Sequence, residues 1–134
     1  KASFIQAFSK IGLVPDSAGS FFLPRLIGFQ KASALMLLGD KVSAAQAQDL
    51  GMIYKVFPPE TFHQEVHSLA LHMAQLPTKA LGLTKKLLNA SFNNTLEQQL
   101  ALESKLQIQA ANSNDYKEGV SAFVEKRKPN FKGN

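Results

Sequence analysis

The sequence predicts a mainly helical α+β fold with two short strands. Three observations carry that reading. Apolar residues recur at spacings of three and four from Thr61 onward, as in Phe62, Val66, Leu69 and Met73. Only two runs, Ser3 to Phe8 and Met52 to Phe57, carry the aromatic and β-branched residues of a strand. Capping signals stand where helices begin, with Thr95 followed three residues later by Gln98.

In chain order, the strand Ser3–Phe8 leads into the turn Ile11-Gly12-Leu13-Val14-Pro15-Asp16, punctuated by Gly and Pro. Ser17 to Leu23 is predicted as a short helix, and Pro24 fits the first turn of the next, where its missing N–H costs nothing. Lys31 to Leu38 is helical with Gly39 as its C-terminal cap. Ser43 caps a brief helix through Leu50, which Gly51 ends. The second strand, Met52–Phe57, stops at Pro58-Pro59. Helices then follow over Thr61–Leu76, Lys79–Ala90, from Thr95 through Ala110, and Tyr116–Lys126, the last with Asp115 and Glu118 as a second capping box. Residues 1–60 form one part and 61–134 a helical second part. Two short strands make a poor independent sheet and read better as edges of a larger one. The chain also opens at Lys1, not Met, in a strand-like run. The expectation is a piece of something longer.

Composition bounds the function. Hydrophobic residues make up 45% of the 134 and charged residues 19%, enough apolar content for a core and no signature of disorder. No apolar run approaches the roughly 18 residues that cross a bilayer, so no membrane partner is expected. The absence of cysteine removes disulfides and thiolate metal sites, and is compatible with a cytoplasmic location. The net charge of +5 is scattered except at Lys126-Arg127-Lys128 and Lys132, with no interleaved aromatic platform. A small phosphorylated ligand suits this pattern better than nucleic acid, and a solvated tail suits it equally well. His63 and His67 are four apart with His72 nearby, but Gln64 stands where a His-Glu-x-x-His zinc motif needs Glu. No metal site is expected there.

Three ordered segments resemble one family. Phe4 to Ser20, with Gly12-Leu13-Val14-Pro15-Asp16 at its centre, looks like a strand, a "G-hydrophobic-x-P" turn and a Gly-rich helix start. Leu38 to Val56 is similar to "TG-x-x-hydrophobic-S-A-x-x-A-x-x-x-G-hydrophobic-V" through Gly39, Ser43-Ala44, Ala47 and Gly51-Met52. Lys117 to Arg127 resembles "EG-x-x-AF-x-x-KR". Together they are similar to the enoyl-CoA hydratase/isomerase, or crotonase, family. The resemblance implies the carboxy-terminal, mainly helical part of a β-β-α spiral fold, assembled through residues 61–134 as a homotrimer or hexamer. It implies an acyl-CoA substrate, with CoA part of that substrate and no separate cofactor. The family's oxyanion hole uses backbone N–H groups of an amino-terminal half.

The resemblance also assigns candidate site residues. Hydratases of this family carry a second Glu at the position matching Phe8, which holds neither proton nor water. Asp16 stands eight residues later, as in isomerase and dehalogenase branches of the family. Leu13-Val14-Pro15-Asp16 and Leu23-Pro24-Arg25 look closest to the ring-epoxyphenylacetyl-CoA isomerases. Asp16 is therefore the candidate catalytic residue, with Leu13, Pro15 and Phe22 as candidate substrate-binding residues. Phe123 and Lys126 match positions that approach the adenine and 3′-phosphate of CoA. The expected activity is acyl-CoA isomerisation, with hydration or an inactive helical assembly module as alternatives. Bland readings stand beside each: Asp16 as an ordinary helix N-cap, Phe21 and Phe22 as core, Phe123 as a buried ring next to a solvated lysine.

Overall fold

The computed structural model describes residues 1–134, which divide into two compact units, Lys1–Phe62 and His63–Asn134.

The first unit opens with β1 (Ser3–Ile5), followed by a 3₁₀ turn (Ala7–Ile11), α1 (Gly19–Ile27), α2 (Phe29–Leu38), β2 (Lys41–Ser43) and α3 (Ala44–Asp49). The strands pair antiparallel, with Phe4 opposite Val42 and Ser3 opposite Ser43. Leu23, Ala32, Val42 and Ala47 are its buried apolar residues. Ser43 ends β2 and caps α3 in one step. Its hydroxyl accepts from the Gln46 N–H while Gln46 Oε1 accepts from the Ser43 N–H at 2.9 Å, a complete capping box. Gly39 ends α2 in the left-handed conformation, at φ 64°, and its N–H reaches Leu35 O.

Four expectations are corrected here. The second strand is Lys41–Ser43, paired with β1, and not Met52–Phe57. The latter run is held irregularly instead, by Met52 N–H on Ala47 O at 2.8 Å and by Val56 N–H on the Gln48 side chain at 2.6 Å. Strand propensity there yields to these local bonds. The first strand stops at Ile5, so Phe8 lies in the 3₁₀ turn. Pro24 falls inside α1, which starts at Gly19 and runs to Ile27, and no new helix starts at the proline. Its ring leaves the helix one N–H short. The following helix begins at Phe29 after Gly28, whose φ of 81° and ψ of 155° break the path between the two.

The helix expected from Thr61 appears as α4, Phe62–Ala74, but it buries none of its residues; Val66, Leu69 and Met73 are all exposed. The second unit otherwise comprises α5 (Thr78–Ser91), α6 (Leu96–Ala111) and α7 (Asn114–Val124). Leu83 and Leu106 are the buried residues of α5 and α6, and Ala122 is buried in α7. Thr95 and Gln98 form the expected capping box. A loop tie joins the same helices: Asn94 donates to Gln99 Oε1 at 3.0 Å, and Gln99 donates to Leu87 O at 3.3 Å.

The second predicted capping box does not form. Ser113 caps α7, accepting from Tyr116 N–H at 3.0 Å. Asp115 instead turns to the returning chain. One carboxylate oxygen accepts from Lys132 N–H at 2.7 Å and the other from Gly133 N–H at 2.8 Å. Asn134 O in turn accepts from the Asn114 and Asp115 N–H groups at the start of α7. Residues 125–134 are thus strapped back along α7.

Candidate active site

The segment around Asp16 is shaped by its backbone. Gly12 ends the 3₁₀ turn at φ 73°, and Leu13 N–H bonds Phe8 O at 2.9 Å. The chain then runs out through Leu13 and Val14, both exposed, to half-buried Pro15 and exposed Asp16. Ser17 and Ala18 follow at φ 49° and 60°. Two successive non-glycine residues in the left-handed region are strained by about 1–2 kcal/mol each, an arrangement that concentrates at functional sites. Gly19 N–H closes the turn on Asp16 O at 2.8 Å, and Phe21 and Phe22 N–H both reach Ala18 O at 3.0 Å.

This geometry answers the N-cap alternative. The residue in the N-cap position of α1 is Ala18, with no side-chain cap. Only the main-chain carbonyl of Asp16 helps form the turn. Its carboxylate is exposed and takes no hydrogen bond or ion pair from the protein.

Phe21 and Phe22 are corrected from core to surface: their rings meet edge to face at 5.1 Å, and Phe22 is 50% exposed. Arg25 lies 3.6 Å over the Phe21 ring and donates to Phe21 O at 2.8 Å, fixing the orientation of that pair. Leu13, Val14, Phe21 and Phe22 are thus all exposed apolar residues within a few positions of Asp16.

The second unit places Phe123 and Lys126 at the end of α7. Phe123 is 85% exposed, which corrects the alternative of a buried ring. It borders an apolar groove of about 360 Å³ with Pro77, Ala80, Tyr116, Val120 and Phe131. Lys126 stands at φ 55°, where Gly is the usual residue. Its N–H bonds Phe123 O at 3.3 Å and the Arg127 N–H bonds Ala122 O at 3.0 Å, the paired bonds of a Schellman motif.

Sequence reasoning missed what the flanking charges do. Arg127 grips Glu118 with both ends of its guanidinium, at 2.7 and 3.0 Å, and reaches Glu125 at 2.6 Å. Asn130 N–H adds a bond to Glu118 at 2.8 Å. The Arg127 hydrogen bonds, aided by Asn130, hold the Glu118 carboxyl at about 2. The same contact with Arg127, then Ser121, lowers Glu125. Arg127 itself is held further above its ordinary range. So the charged ends of the last motif are structural. The spacing of nine between Glu118 and Arg127 is no helical spacing, and only the turn at Lys126 brings them together. Gln6 was also passed over; it lies against Gly19 and carries a buried oxygen. His63, His67 and His72 belong to no group of metal-binding side chains.

With this geometry in place, the chain matches the enoyl-CoA hydratase/isomerase family over residues 1–134. It is 48% identical over 132 residues to the 1,2-epoxyphenylacetyl-CoA isomerase of Escherichia coli K12, covering 98% of this chain and 50% of that protein. It is 41% identical to the "Probable enoyl-CoA hydratase" of Rhodobacter capsulatus, covering 98% of this chain and 51% of the other. The crystal structure of an enoyl-CoA hydratase from Bacillus anthracis superposes with a TM-score of 0.93 at 28% identity, over 100% of this chain and 52% of that one. The fold is crotonase-like, in its mainly helical part with two short antiparallel strands. The chain spans about half the length of the curated relatives it matches. No helix is long and apolar enough to cross a membrane.

Proposed function

Because the chain belongs to the enoyl-CoA hydratase/isomerase family, we propose that it supplies the proton-moving half of an acyl-CoA isomerase, with Asp16 as the catalytic acid and base. The observation that carries this is the Asp16 carboxylate, exposed and uncommitted on a strained turn flanked in sequence by exposed apolar residues. The name of the 48% identical relative supports isomerisation. Phe8, where the family's hydratases have Glu, weighs against hydration by paired carboxylates.

The step balances with one carboxylate. Asp16 removes a proton from a carbon conjugated with the thioester, and the electron pair moves onto the carbonyl oxygen as an enolate. The proton then returns from Asp16 to another carbon on the same face, shifting a double bond or completing a ring-epoxide rearrangement. Positioned acid–base catalysis of this kind is worth roughly 10²–10⁴-fold. Oxyanion donors from the family's amino-terminal half would hold the enolate, a contribution of several kcal/mol. Leu13, Pro15 and Phe22 line the acyl side, and Phe123 and Lys126 meet the adenine and 3′-phosphate of CoA in a trimeric or hexameric cytoplasmic assembly.

The test is Asp16→Asn in the full-length protein, assayed with unsaturated and ring-epoxide acyl-CoA. Turnover should fall by roughly 10²-fold or more; unchanged turnover would sink the assignment. Hydration is the second reading, favoured by the hydratase name of the 41% identical relative. Addition of water to crotonyl-CoA as fast as isomerisation would establish it instead. A third reading is an inactive helical assembly module, which any Asp16-dependent turnover excludes.

A further inference from the structure

Gln6 is the first residue beyond β1, and its two ends meet different glycines. Its backbone carbonyl lies 3.2 Å from the point where a Cβ on Gly39 would stand. Its carboxamide reaches the other way, with Oε1 3.6 Å and Nε2 3.9 Å from the same point on Gly19, which Pro15 Cβ also approaches to 3.9 Å. The side chain is therefore packed against Gly19, the end of the turn that carries Asp16. Its Oε1 is shut off from solvent and accepts no hydrogen bond. An unpaired buried acceptor is unfavourable, and a methionine of similar length would fill the space without one. The turn it touches contains Ser17 and Ala18 at φ 49° and 60°, a conformation that persists only when its surroundings hold it.

We propose that Gln6 is a positioning residue for Asp16: its carboxamide supports the strained turn from the β1 side and sets where the Asp16 carboxylate stands. This rests on the reading of Asp16 as the proton-moving group. Gln6 acts through Gly19. The carboxamide places a dipole against the turn whose carboxylate gains and loses charge during the reaction.

The experiment compares Gln6→Met, Gln6→Glu, Asp16→Asn and the Gln6→Met/Asp16→Asn double variant in the full-length protein. Gln6→Met should keep or raise the melting temperature, lower kcat about tenfold and leave KM within about twofold, because Asp16 loses the carboxamide that sets its place while the substrate is still bound. In the Asp16→Asn background it should cause no further loss. Gln6→Glu should move the acid limb of the pH–rate profile up by about one pH unit, since a second carboxylate nearby disfavours ionisation of Asp16. Full kcat in Gln6→Met, or the same loss with and without Asp16, overturns the proposal. If Gln6→Met does not fold, the pH limb of Gln6→Glu decides alone, and an unmoved limb overturns it. Undiminished turnover in Asp16→Asn brings down the catalytic reading and Gln6 with it. A dead Asp16→Asn with a normal Gln6→Met brings down Gln6 only.

Discussion

Asp16 stands three residues before α1, and Asp115 is the second residue of α7. Both belong to the residue type that favours helix starts, and neither side chain caps its helix. Asp115 is 3% exposed, and both its oxygens are occupied by main-chain N–H groups of the returning tail. Asp16 is exposed and unoccupied, on a turn strained at the next two residues. A buried carboxylate must be paired or it is very costly. An exposed one keeps its hydration, and stays available to a reaction. Asp115 is committed to structure and Asp16 is not.

The sharpest way to break this comparison is to remove each acid in turn. Asp115→Ala deletes two hydrogen bonds to a charged group and strands two N–H donors, a loss of about 3 kcal/mol or more. Urea unfolding should show it, with faster hydrogen exchange at Lys132 and Gly133. Asp16→Ala should shift stability by no more than about 0.5 kcal/mol in either direction. Equal losses would erase the distinction.

Next is acid. Glu118 binds its proton more weakly in the folded chain than at its ordinary value of 4.5, with a midpoint at about 2. The clamp's contribution is therefore whole above about 4.5 and drains away as pH falls through about 2. Carboxyl resonances followed by NMR should show that midpoint, and Arg127→Ala should return it towards 4.5. A midpoint near the ordinary value in the intact chain would mean the clamp is open.

A smaller effect is expected at Lys126. Gly there relieves the left-handed conformation but loosens the unfolded chain, for a net gain between zero and about 1 kcal/mol. Thermal melts measure it, and a raised KM for acyl-CoA in the same variant would support the CoA contact. The smallest is Gly19→Ala. The added Cβ meets Gln6 and Pro15 only at 3.6–3.9 Å, ordinary contact distances, so stability should stay within about 0.5 kcal/mol.

What the sequence disclosed follows the range of each interaction. The Ser43 cap, the Thr95–Gln98 box and the Gly39 cap span three or four residues, and each was legible; the Gln46 half of the Ser43 box was not named. The family was legible because three motifs keep their order across the chain. The pairing of β1 with residues 41–43 is not local, and the apolar run Met52–Phe57 drew the strand away from it. Asp115 looked like a cap because its true partners lie 17 and 18 residues on. Glu118 and Arg127 meet only through an unexpected left-handed lysine. At the candidate site, Asp16 and the apolar residues near it could be named from the sequence. The strain beside Asp16 and the contact with Gln6 could not, since both depend on backbone angles and packing.

The exposed apolar row on α4 has a chemical use. Of the three methionines, Met36 and Met52 are half-buried, while Met73 on that row is exposed. In the chain by itself, dilute peroxide should convert Met73 to its sulfoxide first. Any surface resting on α4 slows that conversion, so the rate of a single sixteen-dalton mass gain becomes a footprint of whatever covers the helix.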